Sequence, residues 1–190
     1  HLPGPLARWL AAHPDVDVEL KERTTSVTLK MVGAGLADLG IVTDALDAEG
    51  LQLRPFALDR LVLAVPAGHR LAAGRRVRFA ELADERFVGL GDGSALQDHL
   101  EHAAREGFSA DIRIRLRSFD GMLRMVAAGV GVAIVPATAA RRARMPGVRC
   151  LAMDDAWTHR QLSLCFRDLQ ALSPSARGLL THLQAVGQTR

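Results

Sequence analysis

The chain has 190 residues, 48% of them hydrophobic and 24% charged, with a formal net charge of +3 and an isoelectric point near 9.5. That length supports a sizeable core, in one domain or two small lobes, and the balance is that of a globular chain rather than a disordered one. No apolar run reaches the ~20 residues a membrane helix needs, and His1-Leu2-Pro3-Gly4 carries no basic segment leading into an apolar core. The expectation is therefore a cytoplasmic protein with no membrane partner, from which an upstream segment including the initiator Met has been removed.

Helix and strand signals alternate along the chain, which predicts an α/β fold with a largely parallel sheet. Leu6, Trp9 and Leu10 fall at helical spacing within Pro3 to His13, and Pro14-Asp15 ends that helix. Val16, Val18 and Leu20 alternate as a strand. Thr24-Thr25-Ser26 offers N-caps for a helix to about Ala34, closed by Gly35. Asp38 to Thr43 reads as a short strand, and Leu51 to Leu58 and Leu61 to Val65 as two more, broken at Asp59-Arg60.

Pro66-Ala67-Gly68 interrupts the pattern, and a polar, arginine-rich stretch runs to about Arg78. A second α/β set follows. Phe87 to Leu90 is a strand, and Ser94 to Glu106 a helix opening on a Ser94-x-x-Gln97 capping box. Asp111 to Arg117 is a strand whose period of two sets Arg113, Arg115 and Arg117 on one face, read as solvated. Ser118 to Ala128 is a helix ended by Gly129. Val130 to Val135 is a strand stopped by Pro136. A short helix and a strand from Val148 to Leu151 complete the set. Leu162 to Phe166 is the last strand, and Ser173-Pro174 starts a helix to about Val186.

The most informative feature is where helices begin. Those at Thr24, Ser94 and Ser118 each follow a strand, the Ser94 helix through the loop Gly89-Leu90-Gly91-Asp92-Gly93. Helix N-termini present unpaired N–H groups and partial positive charge, so they bind anions without a catalytic residue. In open α/β sheets ligands sit at the carboxyl ends of strands. The glycine-rich loop is neither a P-loop nor a dinucleotide fingerprint. His99 and His102 lie at i, i+3 with no third metal ligand evident, so no cofactor and no metal are expected. No Gly-x-Ser-x-Gly elbow occurs, and Asp38 and Asp44 have no evident partner for acid–base work. Cys150 and Cys165 sit in apolar stretches and are expected as reduced, buried thiols. Basicity is almost wholly arginine, since Lys21 and Lys30 are the only lysines. Arg141, Arg142 and Arg144 form the densest cluster, with no interleaved aromatics of the kind a nucleic-acid platform uses.

Four segments stand out together: Asp38-Leu-Gly-Ile-Val42; Leu61-Val-Leu-Ala-Val-Pro-Ala-Gly-His-Arg-Leu-Ala72; Ser118-Phe-Asp-Gly-Met-Leu-Arg-Met-Val-Ala-Ala-Gly-Val-Gly-Val-Ala-Ile-Val-Pro136; and Leu172-Ser-Pro-Ser-Ala-Arg-Gly-Leu-Leu180. In this order and spacing they resemble the effector-binding domain of LysR-type transcriptional regulators. The resemblance implies a two-lobed fold of the type II periplasmic-binding-protein kind, with two crossover strands at Leu61–Val65 and Leu162–Phe166. Lobe one is then 1–66 plus 162–190, and lobe two 67–161. It implies a small organic effector in the cleft between lobes. Carried over by residue, the ligand-binding positions are Thr24, Thr25, Thr43, Asp92, Gly93, Ser94, Ser118, Phe119, Val135 and Pro136. Asp92 departs from the family pattern, since an acid there repels an anion or selects an amine. Family members also begin with a strand before the Leu2-Pro3 helix, so the first strand of lobe one and a DNA-binding winged helix-turn-helix are expected upstream of His1. The family implies a homodimer or tetramer in which Pro3–His13 and Val16–Glu22 of one copy meet Ser118–Ala128 and its neighbouring strand on the other, with Trp9 and Leu10 as interface anchors. The function expected is transcription regulation without catalysis. The alternatives are an extracytoplasmic solute-binding receptor of the same fold, or an enzyme on this scaffold.

Overall fold

In the computed structural model, residues 2–43, 48, 50–91, 93–104 and 111–187 are described. The chain divides into two compact units, one formed by 1–58 and 160–190 and the other by 59–159.

The first unit carries helices α1 (Pro3–Ala11) and α2 (Thr25–Gly33), strand β1 (Gly40–Thr43), the start of β2 (Gln52–Pro66), most of β8 (His159–Phe166) and helix α6 (Pro174–Gly187). β1 pairs antiparallel with β8, from Gly40 opposite Cys165 to Thr43 opposite Leu162. Phe56, Leu164, Phe166, Leu172, Leu180 and Leu183 form one core cluster. Val32, Val42 and Cys165 form a second where α2 crosses β1. Gly40 is needed there, because a Cβ would run into Thr28 and the Cys165 sulfur. α1 buries Pro5 and Trp9, one helical turn apart, and packs on α6.

The second unit holds the rest of β2, then β3 (Arg76–Val77), β4 (Arg86–Leu90), α3 (Ala95–Ala104), β5 (Asp111–Leu116), α4 (Phe119–Ala127), β6 (Ala133–Pro136), α5 (Ala137–Ala143) and β7 (Val148–Met153). β2 lies between β6 and β7 and runs antiparallel to both. β3 adds to β7 in parallel. β4 and β5 pair in parallel, and Val132 bridges Phe87 in parallel just before β6. The core includes Leu63, Leu82, Met122, Leu123, Val126, Ile134 and Leu151. α4 supplies three of these at positions i, i+1 and i+4, the apolar stripe its amphipathic pattern requires.

Three expectations are corrected. The sheets are mixed rather than largely parallel, because β2 runs against its neighbours and β8 against β1. Alternation of helix and strand reports crossovers, and it is silent on the direction of the strands by which the chain enters and leaves a unit. Leu51–Leu58 and Leu61–Val65 are one continuous strand, since Asp59 is buried and extended rather than in a turn. Residues 16–22 form no strand, and Val18 and Leu20 are 37% and 63% exposed. Alternation supplies a pleat, but a strand needs a neighbour to take its backbone hydrogen bonds, and the described residues offer none. Of the breaks anticipated, Pro66 is the last residue of β2 and Leu162 lies inside β8.

The arginine strand runs as its periodicity predicts, exposed and half-buried in alternation. Its face is not merely solvated: Arg113 donates to the Val130 carbonyl at 3.2 Å and Arg115 to the Leu90 carbonyl at 3.1 Å. The apolar-Pro-x-Gly-His-x-Leu-Ala segment has a mechanical reading too. The His69 ring accepts from Leu71 N–H at 3.3 Å, capping a single-turn helix, and its Nε2 meets Glu85 at 3.1 Å.

Candidate functional site: helix starts at strand ends

In the first unit the site is built at the start of α2. The Thr24 hydroxyl accepts from Val27 N–H at 3.3 Å as an N-cap, and its oxygen lies 3.2 Å from the Ser26 hydroxyl. The Thr25 hydroxyl oxygen accepts from Thr43 N–H at 3.3 Å, which ties the helix start to the end of β1. Thr24, Thr25 and Thr43 are thus brought together. The first-turn N–H groups of Thr25 and Ser26 have no intrahelical acceptor. Because the Thr25 oxygen is used as an acceptor, its own proton is left to donate. Ser26, exposed beside them, was visible in sequence only as the third hydroxyl of a capping run.

In the second unit three helices start at the carboxyl ends of β4, β5 and β6. Gly91 N–H donates to the Leu116 carbonyl at 2.8 Å, so the ends of β4 and β5 are side by side. Gly93 sits at φ +82°, a left-handed turn that an L side chain resists. Ser118 caps α4 by accepting from Gly121 N–H at 3.2 Å. Phe119 is half-buried against the core, and β6 ends at Pro136, after which α5 begins. Gly93, Ser94, Ser118, Phe119 and Pro136 therefore share one edge of the unit. Val135 belongs to that strand end, but its side chain is fully buried, so only its backbone faces the edge. Asp92 lies outside the described residues.

The capping box at Ser94 is not made. Gln97 is buried, and its amide donates to Glu101 at 2.9 Å. The Ser94 oxygen is left buried without a partner among the described residues. Arg115 is the charge that sequence reasoning passed over. Its guanidinium bonds the last carbonyl of β4 and stands 3.6 Å from Glu101, which brings a fixed positive charge to the edge where α3 starts. The signal was the period of two, read as a face but not as a position.

Elsewhere the chemistry is structural. His99 Nε2 bonds the Trp157 carbonyl at 2.9 Å, and among the described residues no group of three His, Cys, Asp or Glu could hold a metal. Cys165 is buried, and desolvation pushes its thiol up to about 11. Cys150 is exposed, against expectation, because it sits on the outer side of β7. Trp9 is 4% exposed, stacks on His13 at 4.1 Å between ring centres and lies against Gly178, so it packs within its own unit. Leu10 is half-buried. No helix among the described residues is long and apolar enough to cross a membrane.

Helix starts that offer amides and hydroxyls at strand ends, on a mixed α/β frame, are the arrangement at which α/β sheets bind ligands. The profile of the LysR substrate binding domain matches residues 1–188, and the chain belongs to that family, the effector-binding part of transcription regulators rather than of enzymes. It is 23% identical over 142 residues to the HTH-type transcriptional regulator CysL of Bacillus subtilis, covering 74% of this chain and 48% of that protein. Its fold matches the regulatory domain of CcmR from Synechocystis PCC6803 in complex with 2-PG, with a TM-score of 0.81 and 21% identity over 98% of this chain and 91% of that one. It also matches the effector binding domain of QuiR in complex with shikimate, with a TM-score of 0.77 and 18% identity over 100% and 91% of the two chains. The chain spans about half the length of the first curated relatives it matches.

Proposed function

We propose that the chain senses a small organic carboxylate, and that Thr24, Thr25, Thr43, Asp92, Gly93, Ser94, Ser118, Phe119 and the backbone at Val135 and Pro136 contact it. The observation that carries this reading is the Thr25 hydroxyl. Its oxygen is held by Thr43 N–H, its proton is unspent, and the first-turn amides of α2 stand beside it. A carboxylate accepts such donors without any proton transfer. Arg115, bonded to the Leu90 carbonyl and paired with Glu101, places a guanidinium at the other set of helix starts. In this reading the two units are the lobes of a type II periplasmic-binding-protein-like fold, β2 and β8 are the strands by which the chain crosses between them, and effector binding shifts the balance between lobe arrangements. Among the described strands β1 stands at the edge of its sheet, which leaves room for a further strand. The whole protein is proposed to act in the cytoplasm as a homodimer or tetramer and to bind DNA through a separate domain, as the HTH-type names of its relatives suggest.

The test is a thermal-shift panel of small carboxylic acids, shikimate among them, each paired with its neutral amide. At least one acid is expected to raise the melting temperature while its amide does not. For that acid, Thr24→Val/Thr25→Val should cost tenfold or more in affinity by calorimetry, about 1.4 kcal/mol or more. Amides that match their acids, or unchanged affinity in a folded double variant, would overturn the placement of the site.

A further inference from the structure

We propose that the α5–β7 corner is a polyanion-contact surface that grips the phosphodiester backbone of duplex DNA without reading its sequence. The proposal rests on the reading of the whole protein as a DNA-bound regulator. Between Gly121 and Met153 the chain carries five arginines and no carboxylate. Arg124 pairs with Asp120 on its own helix at 2.9 Å. The other four, Arg141, Arg142, Arg144 and Arg149, are all exposed. A tight turn closed by Val148 N–H to the Met145 carbonyl at 3.3 Å joins the end of α5 to β7 and keeps them on one corner. Outside this segment Arg70, Arg76, Arg86 and Arg115 each take a carboxylate, while Arg8, Arg23 and Arg75 are exposed far apart in the chain. Arg141, Arg142, Arg144 and Arg149 have no acidic partner among the described residues.

Helix-end electrostatics accounts for part of this arrangement only. Arg141 and Arg142 lie in the last turn of α5, where a cation complements the helix dipole. Arg149 is on a strand. Arg144 holds the left-handed cap at φ +43°, the one non-glycine residue at positive φ among the described residues. Glycine or asparagine takes that cap at lower steric cost, so the backbone alone does not call for an arginine there.

The chemistry selects the partner. Guanidinium forks fit phosphate oxygens two at a time, and releasing counterions from a duplex drives binding by unpaired cations. The segment from Gly121 to Met153 has no aromatic residue, so it has no platform for stacking unpaired bases, and backbone contact carries no sequence information. Nor does it offer the exposed aromatic anchor that a protein interface usually centres on.

Fluorescence anisotropy of the 190-residue chain with a labelled mixed-sequence duplex tests this across a salt series. Binding is expected at low salt, equal for unrelated sequences, and falling steeply as salt rises. Replacing Arg141, Arg142, Arg144 and Arg149 with Ser should weaken it at least tenfold and reduce the salt slope by about 3 to 4, since each phosphate contact contributes roughly 0.9. Arg149→Ser alone should remove about one unit of slope, which guards against a misfolded quadruple variant. The control removes equal charge elsewhere, at Arg8, Arg23, Lys30 and Arg75, and should keep the slope within one unit. The proposal is overturned if the patch variant binds as the parent does, if the control loses as much, or if polyglutamate occupies the patch as tightly as the duplex. The carboxylate panel reports on the effector site independently, so failure of one leaves the other standing.

Discussion

Burial decides what each reactive residue can do. Cys165 sits under α2 and opposite Gly40, where the sulfur meets no water and its thiol is pushed up to about 11. At pH 8 a group with that pKa is thiolate about one time in a thousand. Iodoacetamide at pH 8 should therefore label Cys150, which is exposed, within minutes while leaving Cys165 unmodified. Both should label in urea, as peptide mass spectrometry would show. Rapid labelling of Cys165 in the folded protein would contradict its burial. The same logic separates the site residues. Thr25 and Ser118 each accept a backbone N–H on the hydroxyl oxygen and keep the hydroxyl proton to donate, whereas the Ser94 oxygen is buried without a partner among the described residues.

Elements are held by close approaches that single glycines allow. Val132 exchanges hydrogen bonds with the β4 backbone, donating to Arg86 at 2.9 Å and accepting from Val88 at 2.8 Å. That contact brings Gly131 so near the Arg86 carbonyl that a Cβ would collide with backbone. Gly131→Ala should cost about 1–3 kcal/mol, the usual penalty for overpacking. Gly33→Ala near the end of α2, where a Cβ meets nothing within 4 Å, should be neutral or stabilising by up to about 1 kcal/mol. Urea melts of the two variants check this, and equal destabilisation of both would refute it. The Gly-x-Gly of the Gly129-Val-Gly131 segment is thus two separate devices. Gly129 ends α4 at φ +76°, and Gly131 lets β6 meet β4.

At the scale of the whole molecule, two edges are open among the described residues, and the proposed homodimer would have to cover them. β5 pairs only with β4 among the described strands, and its exposed positions are Asp111, Arg113 and Arg115. The unpaired 15–22 segment alternates acids with Val16, Val18 and Leu20. Edges left open in one copy are commonly covered in an assembly, and these carry opposite charge. Leu20→Glu should shift the chain toward monomer by light scattering, since Leu20 is exposed and its loss costs the single copy little. Leu58→Glu, similarly exposed but on β2 and outside both segments, should leave the mass unchanged. A parent that is already monomeric at high concentration would refute the assembly.

What the sequence by itself determined is local. The caps at Thr24 and Ser118, the glycine stops at Gly35 and Gly129 and the arginine face of β5 follow from propensities and periods that act over a few residues. The family blocks are legible for the same reason, since each joins a cap, a stop and a core stripe at fixed spacing. Tertiary structure alone decided the rest. Whether 16–22 is a strand depends on a neighbour and not on its own pattern. The reversed course of β2, the unspent Ser94 oxygen and the seat of Arg115 at the end of β4 depend on contacts between residues far apart in the chain. Helix starts are written in the sequence one at a time; only the packing of β4, β5 and β6 sets three of them on one edge.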